Sequence, residues 1–125
     1  MRISSVVIDS VNPKVLADFW CKALGYEVVE EDATGISIGS PQHVGPVIDI
    51  LLVPEVKSVK NRLHLDLRAI GSTTAAELAR LFELGAKRVD VGQAPDVSWV
   101  VLSDPEGNEF CLLSRTTEEV ADSSS

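Results

Sequence analysis

The sequence predicts an α+β fold of two βαβββ units related by a pseudo-twofold. Three observations predict it. Apolar periodicity runs strand, helix, three strands, and then repeats that order. The helix-ending pair Leu24-Gly25 returns sixty residues later as Leu84-Gly85. The distance to each unit's last strand is also nearly equal, 24 residues from Gly25 to Asp49 and 26 from Gly85 to Cys111. Under that duplication Ser5 and His64 occupy equivalent first strands, Asp49 and Cys111 equivalent last strands, and the four side chains converge on one cup. The chain reads as a single domain over 1–115, with units of roughly 1–56 and 60–115, and the acidic, serine-rich residues 116–125 read as a flexible tail.

Residues 3–9 form the first strand, with Ile3, Ser5 and Val7 on one face and Ser4, Val6 and Ile8 on the other. Asn12 caps a helix that starts at Pro13, a position where the missing N–H costs nothing. Leu16, Phe19, Trp20, Ala23 and Leu24 recur at helical spacing, and Gly25 supplies the left-handed stop. Residues 26–31 and 35–39 read as short strands, 40–46 as a polar, proline-containing loop, and 47–53 as an apolar strand interrupted by Asp49. An unpaired carboxylate in such a strand is costly, so Asp49 either lies at a strand edge or pairs with Arg62 or Arg68.

After a charged connector, residues 61–68 alternate cleanly. Leu63, Leu65 and Leu67 make a core face, while His64, Asp66 and Arg68 face the other way, which suits either a solvated surface or the inside of a polar cup. Ser72 or Thr73 caps a second helix with Ala76, Leu78, Leu81, Phe82 and Leu84 inward, and Gly85 ends it. Strands over 87–91 and 97–103, the second carrying Trp99, flank a loop at 92–96. Asp104-Pro105-Glu106-Gly107 has the chemistry of a tight turn, and 109–113 is the last strand.

A chain of 125 residues buries roughly two-thirds of its unfolded surface without disulfides. Its two cysteines, Cys21 and Cys111, form no CxxC spacing, which fits reduced thiols in the cytoplasm. Eleven basic against 19 acidic residues give a net charge of −8, which repels phosphate backbones and argues against nucleic acid as a partner. No apolar stretch is long enough for a membrane span, and no P-loop, GxGxxG or GxSxG pattern occurs.

Three motif groups add to this pattern. They are Ala17-Asp18-Phe19-Trp20 with Ala23-Leu24-Gly25-Tyr26, then Arg62-Leu63-His64-Leu65-Asp66-Leu67, then Trp99 followed by Asp104-Pro105-Glu106-Gly107-Asn108-Glu109-Phe110-Cys111. In this order and spacing the chain resembles, from Ile3 to Ser114, the glyoxalase-like subgroup of the vicinal oxygen chelate superfamily. That superfamily includes glyoxalase, extradiol dioxygenases and the bleomycin- and fosfomycin-resistance proteins. The resemblance implies sheets curled into an open cup with helices outside, usually completed by a homodimer. It also implies metal-ligand positions at Ser5, Asp49, His64 and Cys111. Ser5 is a poor ligand, which leaves Asp49, His64 and Cys111 as a possible divalent-metal set.

Three functions are compatible with this pattern. One is a protein binding a small organic molecule in the cup without the full metal site, through Ser5, Asp49, His64, Asp66, Arg68, Trp99 and Cys111. The alternative is a metal-dependent lyase, isomerase or dioxygenase-like enzyme in which His64 and Glu109 are the catalytic candidates. A metal-free route would use Cys111 as nucleophile and His64 as base. No organic cofactor is indicated. Plainer roles stand beside these: Trp99 as core, Glu109 as a rim carboxylate, Cys111 as a packed neutral thiol.

Overall fold

The structure, a computed structural model, describes residues 1–89 and 99–123. The chain divides into two compact units, Met1–Ser58 and Val59–Ser125. The first runs β1 (Ser5–Ser10), α1 (Pro13–Leu24), β2 (Glu27–Asp32), β3 (Gly35–Gly39) and β4 (Val47–Leu52). The second runs β5 (Asp66–Leu67), α2 (Thr74–Leu84), β6 (Lys87–Arg88), β7 (Trp99–Ser103) and β8 (Glu109–Leu113), followed by α3 (Thr117–Ser123). Strand order is the same in both sheets, β1-β4-β3-β2 and β5-β8-β7-β6. In each, the first strand pairs in parallel with the last and the remaining pairs are antiparallel. The duplication read from the sequence is therefore present in the backbone as two βαβββ units. The expected loop at 92–96, and residues 90–91 and 97–98 of its flanking strands, lie outside the described residues.

Each unit builds its own core on one sheet face. In the first, the pairs Ile36 with Ile50 and Ile38 with Ile48 put four isoleucines on one side of β3 and β4. α1 packs against those strands and buries Leu16, Ala17, Phe19 and Trp20. Phe19 and Trp20 meet edge to face with ring centroids 5.1 Å apart. Gly25 ends α1 at φ 69°, where its N–H reaches the Cys21 carbonyl. In the second unit α2 packs on β8, and Leu81, Leu102, Phe110 and Leu112 are buried. Thr73 caps α2, its Oγ1 accepting from the Ala76 N–H at 3.1 Å.

Four expectations need correction. The strand expected over 61–68 is reduced to Asp66–Leu67, extended by one hydrogen bond from the Cys111 N–H to the Leu65 carbonyl at 2.9 Å. Leu63, outside that ladder, is 89% exposed and not part of a core face. On α2, Phe82 is 39% exposed, because the buried stripe narrows to Leu81. Asp49 is neither at an edge nor held by an arginine: β4 lies between β1 and β3, and the Asp49 carboxylate accepts from the Ser37 hydroxyl on β3. Arg68 instead donates from Nη1 to the Arg115 carbonyl at 3.1 Å.

The Asp104 turn works through its side chain as well as its backbone. Its Oδ1 accepts from the N–H groups of Glu106 and Asn108 at 2.9 and 3.0 Å, so the buried carboxylate is saturated by its own loop. Within the segment expected as a flexible tail, Thr117–Ser123 forms α3. Its start is a capping box: Thr116 Oγ1 accepts from the Glu119 N–H at 3.1 Å, and Glu119 Oε1 accepts from the Thr116 N–H at 2.8 Å.

Candidate ligand pocket on the second sheet

Alternation along β7 and β8 sends Leu102, Phe110 and Leu112 into the core and leaves their neighbours on the opposite face. There the register sets Asp66 and Val101 on either side of Cys111, and Trp99 beside Leu113. A cavity of about 260 Å³ opens over this face. Val101, Cys111 and Leu113 line its floor and Trp99 its side, with Lys60, His64, Asp66 and Glu109 as the charged or basic groups around it. Val101 and Cys111 are buried, while Trp99 is 39% exposed and forms a wall open to solvent. A cavity of roughly 150 Å³ holds benzene, so this one suits a molecule on the order of ten non-hydrogen atoms.

Within the pocket three groups gather. His64 Nδ1 lies 3.5 Å from Asp66 Oδ1, and with Cys111 each of the three offers a ligand-type atom within 4.8 Å of the others. Burial pushes the Cys111 thiol above its ordinary pKa; the Asp66 charge and a hydrogen bond to its carboxylate push the same way, against a smaller opposing effect of Lys60. The resting group is a neutral thiol donating to Asp66. This is the opposite of the lowered pKa that an activated cysteine nucleophile needs. Glu109 Oε1 accepts from the Asn61 N–H at 2.9 Å, which ties the segment preceding β5 to β8.

Of the residues singled out in the sequence, the second unit brings together His64, Asp66, Trp99, Glu109 and Cys111. Arg68 is not among those lining the cavity. Ser5 and Asp49 belong to the first unit, where the register pairs Ser5 with Val47 and Val7 with Asp49. Ser5 thus stands two residues before the partner of Asp49, as His64 stands two before Asp66, the partner of Cys111. The register thus aligns Ser5 with His64 and Asp49 with Cys111, where the sixty-residue offset alone carries Ser5 onto Leu65. Sequence reasoning missed Lys60, Val101 and Leu113. The last two were readable, since both fall on the Cys111 face by simple alternation; Lys60 carries no such signal.

The family model for a glyoxalase-like domain matches residues 5–113, and the chain belongs to that family. No curated protein matches the sequence. Among solved structures, a glyoxalase/bleomycin resistance protein/dioxygenase family enzyme from Burkholderia phytofirmans PsJN superposes with a TM-score of 0.65 at 18% identity, covering 90% of this chain and 97% of its own. TnmS3, an antibiotic binding protein from Streptomyces sp. CB03234, gives 0.62 at 19% identity, with coverages of 93% and 97%. A mutant of the fosfomycin resistance protein FosX from Listeria monocytogenes, complexed with Mn(II) and 1S,2S-dihydroxypropylphosphonic acid, gives 0.70 at 13% identity, with coverages of 98% and 97%. These likenesses establish the vicinal oxygen chelate fold expected from the motifs. Among the described residues no helix is long and apolar enough to cross a membrane.

Proposed function

We propose that the protein binds a small organic molecule of about ten non-hydrogen atoms in the second-unit pocket, its apolar part on Trp99, Val101 and Leu113 and its polar groups toward Lys60, His64 and Asp66. The observation that carries this reading is the cavity itself, an apolar floor bordered by a few convergent ionisable groups. The existence of an antibiotic binding protein on the same fold is consistent with it. In this reading the protein works as a cytoplasmic homodimer, as the family resemblance implies. Titration with a panel of small amphipathic metabolites, followed by tryptophan emission and thermal shift, tests it. A true ligand changes the emission of the wild type and not of Trp99→Phe, since the other tryptophan, Trp20, is on the buried face of α1 in the first unit. A panel that moves neither emission nor melting temperature removes the support.

A second reading is favoured by the grouping of His64, Asp66 and Cys111: a divalent-metal site serving a lyase or isomerase reaction. The donor set fits, since imidazole, carboxylate and thiolate together hold zinc with a position left open. The 3.5 Å between His64 and Asp66 is close to the ~3.3 Å that two ligands of a tetrahedral ion span. Binding would require Cys111 to release the proton it now shares with Asp66. Asp66 is the carboxylate that the second unit supplies, in addition to the Asp49 that the family resemblance points to. A bound ion would polarise a carbonyl or enediolate oxygen. Elemental analysis after chelator-free purification decides this reading: no metal retained, and none taken up from micromolar zinc, manganese or iron, eliminates it.

A further inference from the structure

We infer that Glu109 is a positioning residue that latches the segment 60–64 onto β8 and so sets the shape of the pocket. The inference rests on the pocket reading above. The β5–β8 ladder begins at Asp66, so residues 60–64 run outside it. That segment nevertheless carries two of the pocket's polar groups, Lys60 and His64. Glu109 Oε1 bridges the gap by accepting from the Asn61 N–H at 2.9 Å, a bond between residues 48 apart in sequence. Asn61 sits beside Lys60, whose Nζ lies 3.4 Å from the Asn61 carbonyl, so both backbone groups of one residue are engaged where the segment enters the pocket. A charged acceptor on a backbone donor belongs to the stronger class of hydrogen bonds. The carboxylate thus acts through the segment it holds, and the bound molecule meets Lys60 and His64 in places Glu109 has fixed.

Two substitutions separate this role from a purely electrostatic one. Glu109→Gln removes the charge and keeps an acceptor oxygen; Glu109→Ala removes both. On a Cys21→Ser background, two ligand-free measurements follow: amide exchange at Asn61 by NMR, and alkylation of Cys111 by iodoacetamide. In the alanine variant Asn61 exchanges about tenfold faster, the size expected for losing one such bond, and Cys111, now 6% exposed, is alkylated several-fold faster. The amides of β7 and β8 keep their protection. The glutamine variant stays within about twofold of the parent in both measurements. Equal behaviour of the two variants would assign the effect to charge and overturn the latch, as would unchanged Asn61 exchange in the alanine variant. Loss of β7 and β8 protection along with Asn61 would make Glu109 a general stabiliser and overturn it too. Because neither measurement uses a ligand, their failure leaves the pocket reading standing, and an empty ligand panel leaves the latch standing.

Discussion

On the first sheet, the face turned away from the isoleucine core presents Ser5, Val7, Ser37, Asp49 and Leu51, with Gly35 at the end of the row. On the second sheet the register-equivalent positions hold His64, Asp66, Val101, Cys111 and Leu113, with Trp99 at the end. The scaffold is shared and the side chains are not. In the first unit the single carboxylate of this row is satisfied inside the sheet, by the Ser37 hydroxyl. In the second, the corresponding position is a thiol, its carboxylate has moved to the neighbouring strand, and a tryptophan walls the space above. The two faces share strand order and register, and the imidazole, thiol and indole of these rows all fall on the second.

The sharpest way to break this comparison is at its ends. A Cβ on Gly35 would fall against the Ile50 carbonyl oxygen, far inside van der Waals contact, and the obstacle is backbone. Gly35→Ala must therefore push β3 from β4, at a cost of about 2–3 kcal/mol in urea unfolding. Trp99→Ala, at the equivalent position, removes a side chain that is 39% exposed and costs less stability while opening the pocket wall. A neutral Gly35→Ala, or a larger loss at Trp99 than at Gly35, would mean that the two positions are not counterparts.

A smaller effect sharpens the middle of the row. Ser37→Ala leaves the half-buried Asp49 carboxylate without its hydroxyl donor, for a loss of about 1–2 kcal/mol. A double-mutant cycle of Ser37→Ala with Asp49→Asn, read by denaturant midpoint, should return a coupling of about 1 kcal/mol. A coupling near zero would reduce the Ser37 bond to an incidental contact.

Much of this was legible before the structure. The apolar periods of α1 and α2, Pro13 and Gly25 at the ends of the first helix, and the sixty-residue offset defined both units, because local propensity and core pattern agree there. Strand alternation put His64 with Asp66 and Glu109 with Cys111, while Cys111 itself was nominated by the duplication and the family resemblance and Trp99 by its aromatic character. What failed was partner choice. Nothing in the sequence distinguishes Ser37 from the arginines as the partner of Asp49, since that depends on the β3–β4 register. Alternation at 61–65 looked like a strand, yet the β5–β8 ladder covers only two residues, so Leu63 has no core to face. The α3 signal, Thr116 followed by Glu119, was present as a capping box and overlooked in an acidic, serine-rich tail.

The smallest effect concerns the last strand of the second unit, through the titration of Cys111. Its thiol is raised by burial first and by Asp66 second, so the folded protein holds this proton more tightly than the unfolded chain does. For such a group the sign is fixed: its contribution to stability is complete below the unfolded thiol pKa of roughly 8.5 and is lost as pH climbs through the higher folded value. Stability should therefore decline on the alkaline side. Cys21 is raised as well, by burial and by Asp18, so the comparison requires a Cys21→Ser background. There, the denaturant midpoint followed from pH 8 upward to about pH 10 falls with a slope that Cys111→Ser abolishes. Asp66→Asn, which removes the charge while leaving burial in place, makes the slope shallower without abolishing it. If Asp66→Asn leaves the slope unchanged, burial alone sets the thiol, and Asp66 is free to meet a ligand or a metal without first surrendering a bond to Cys111.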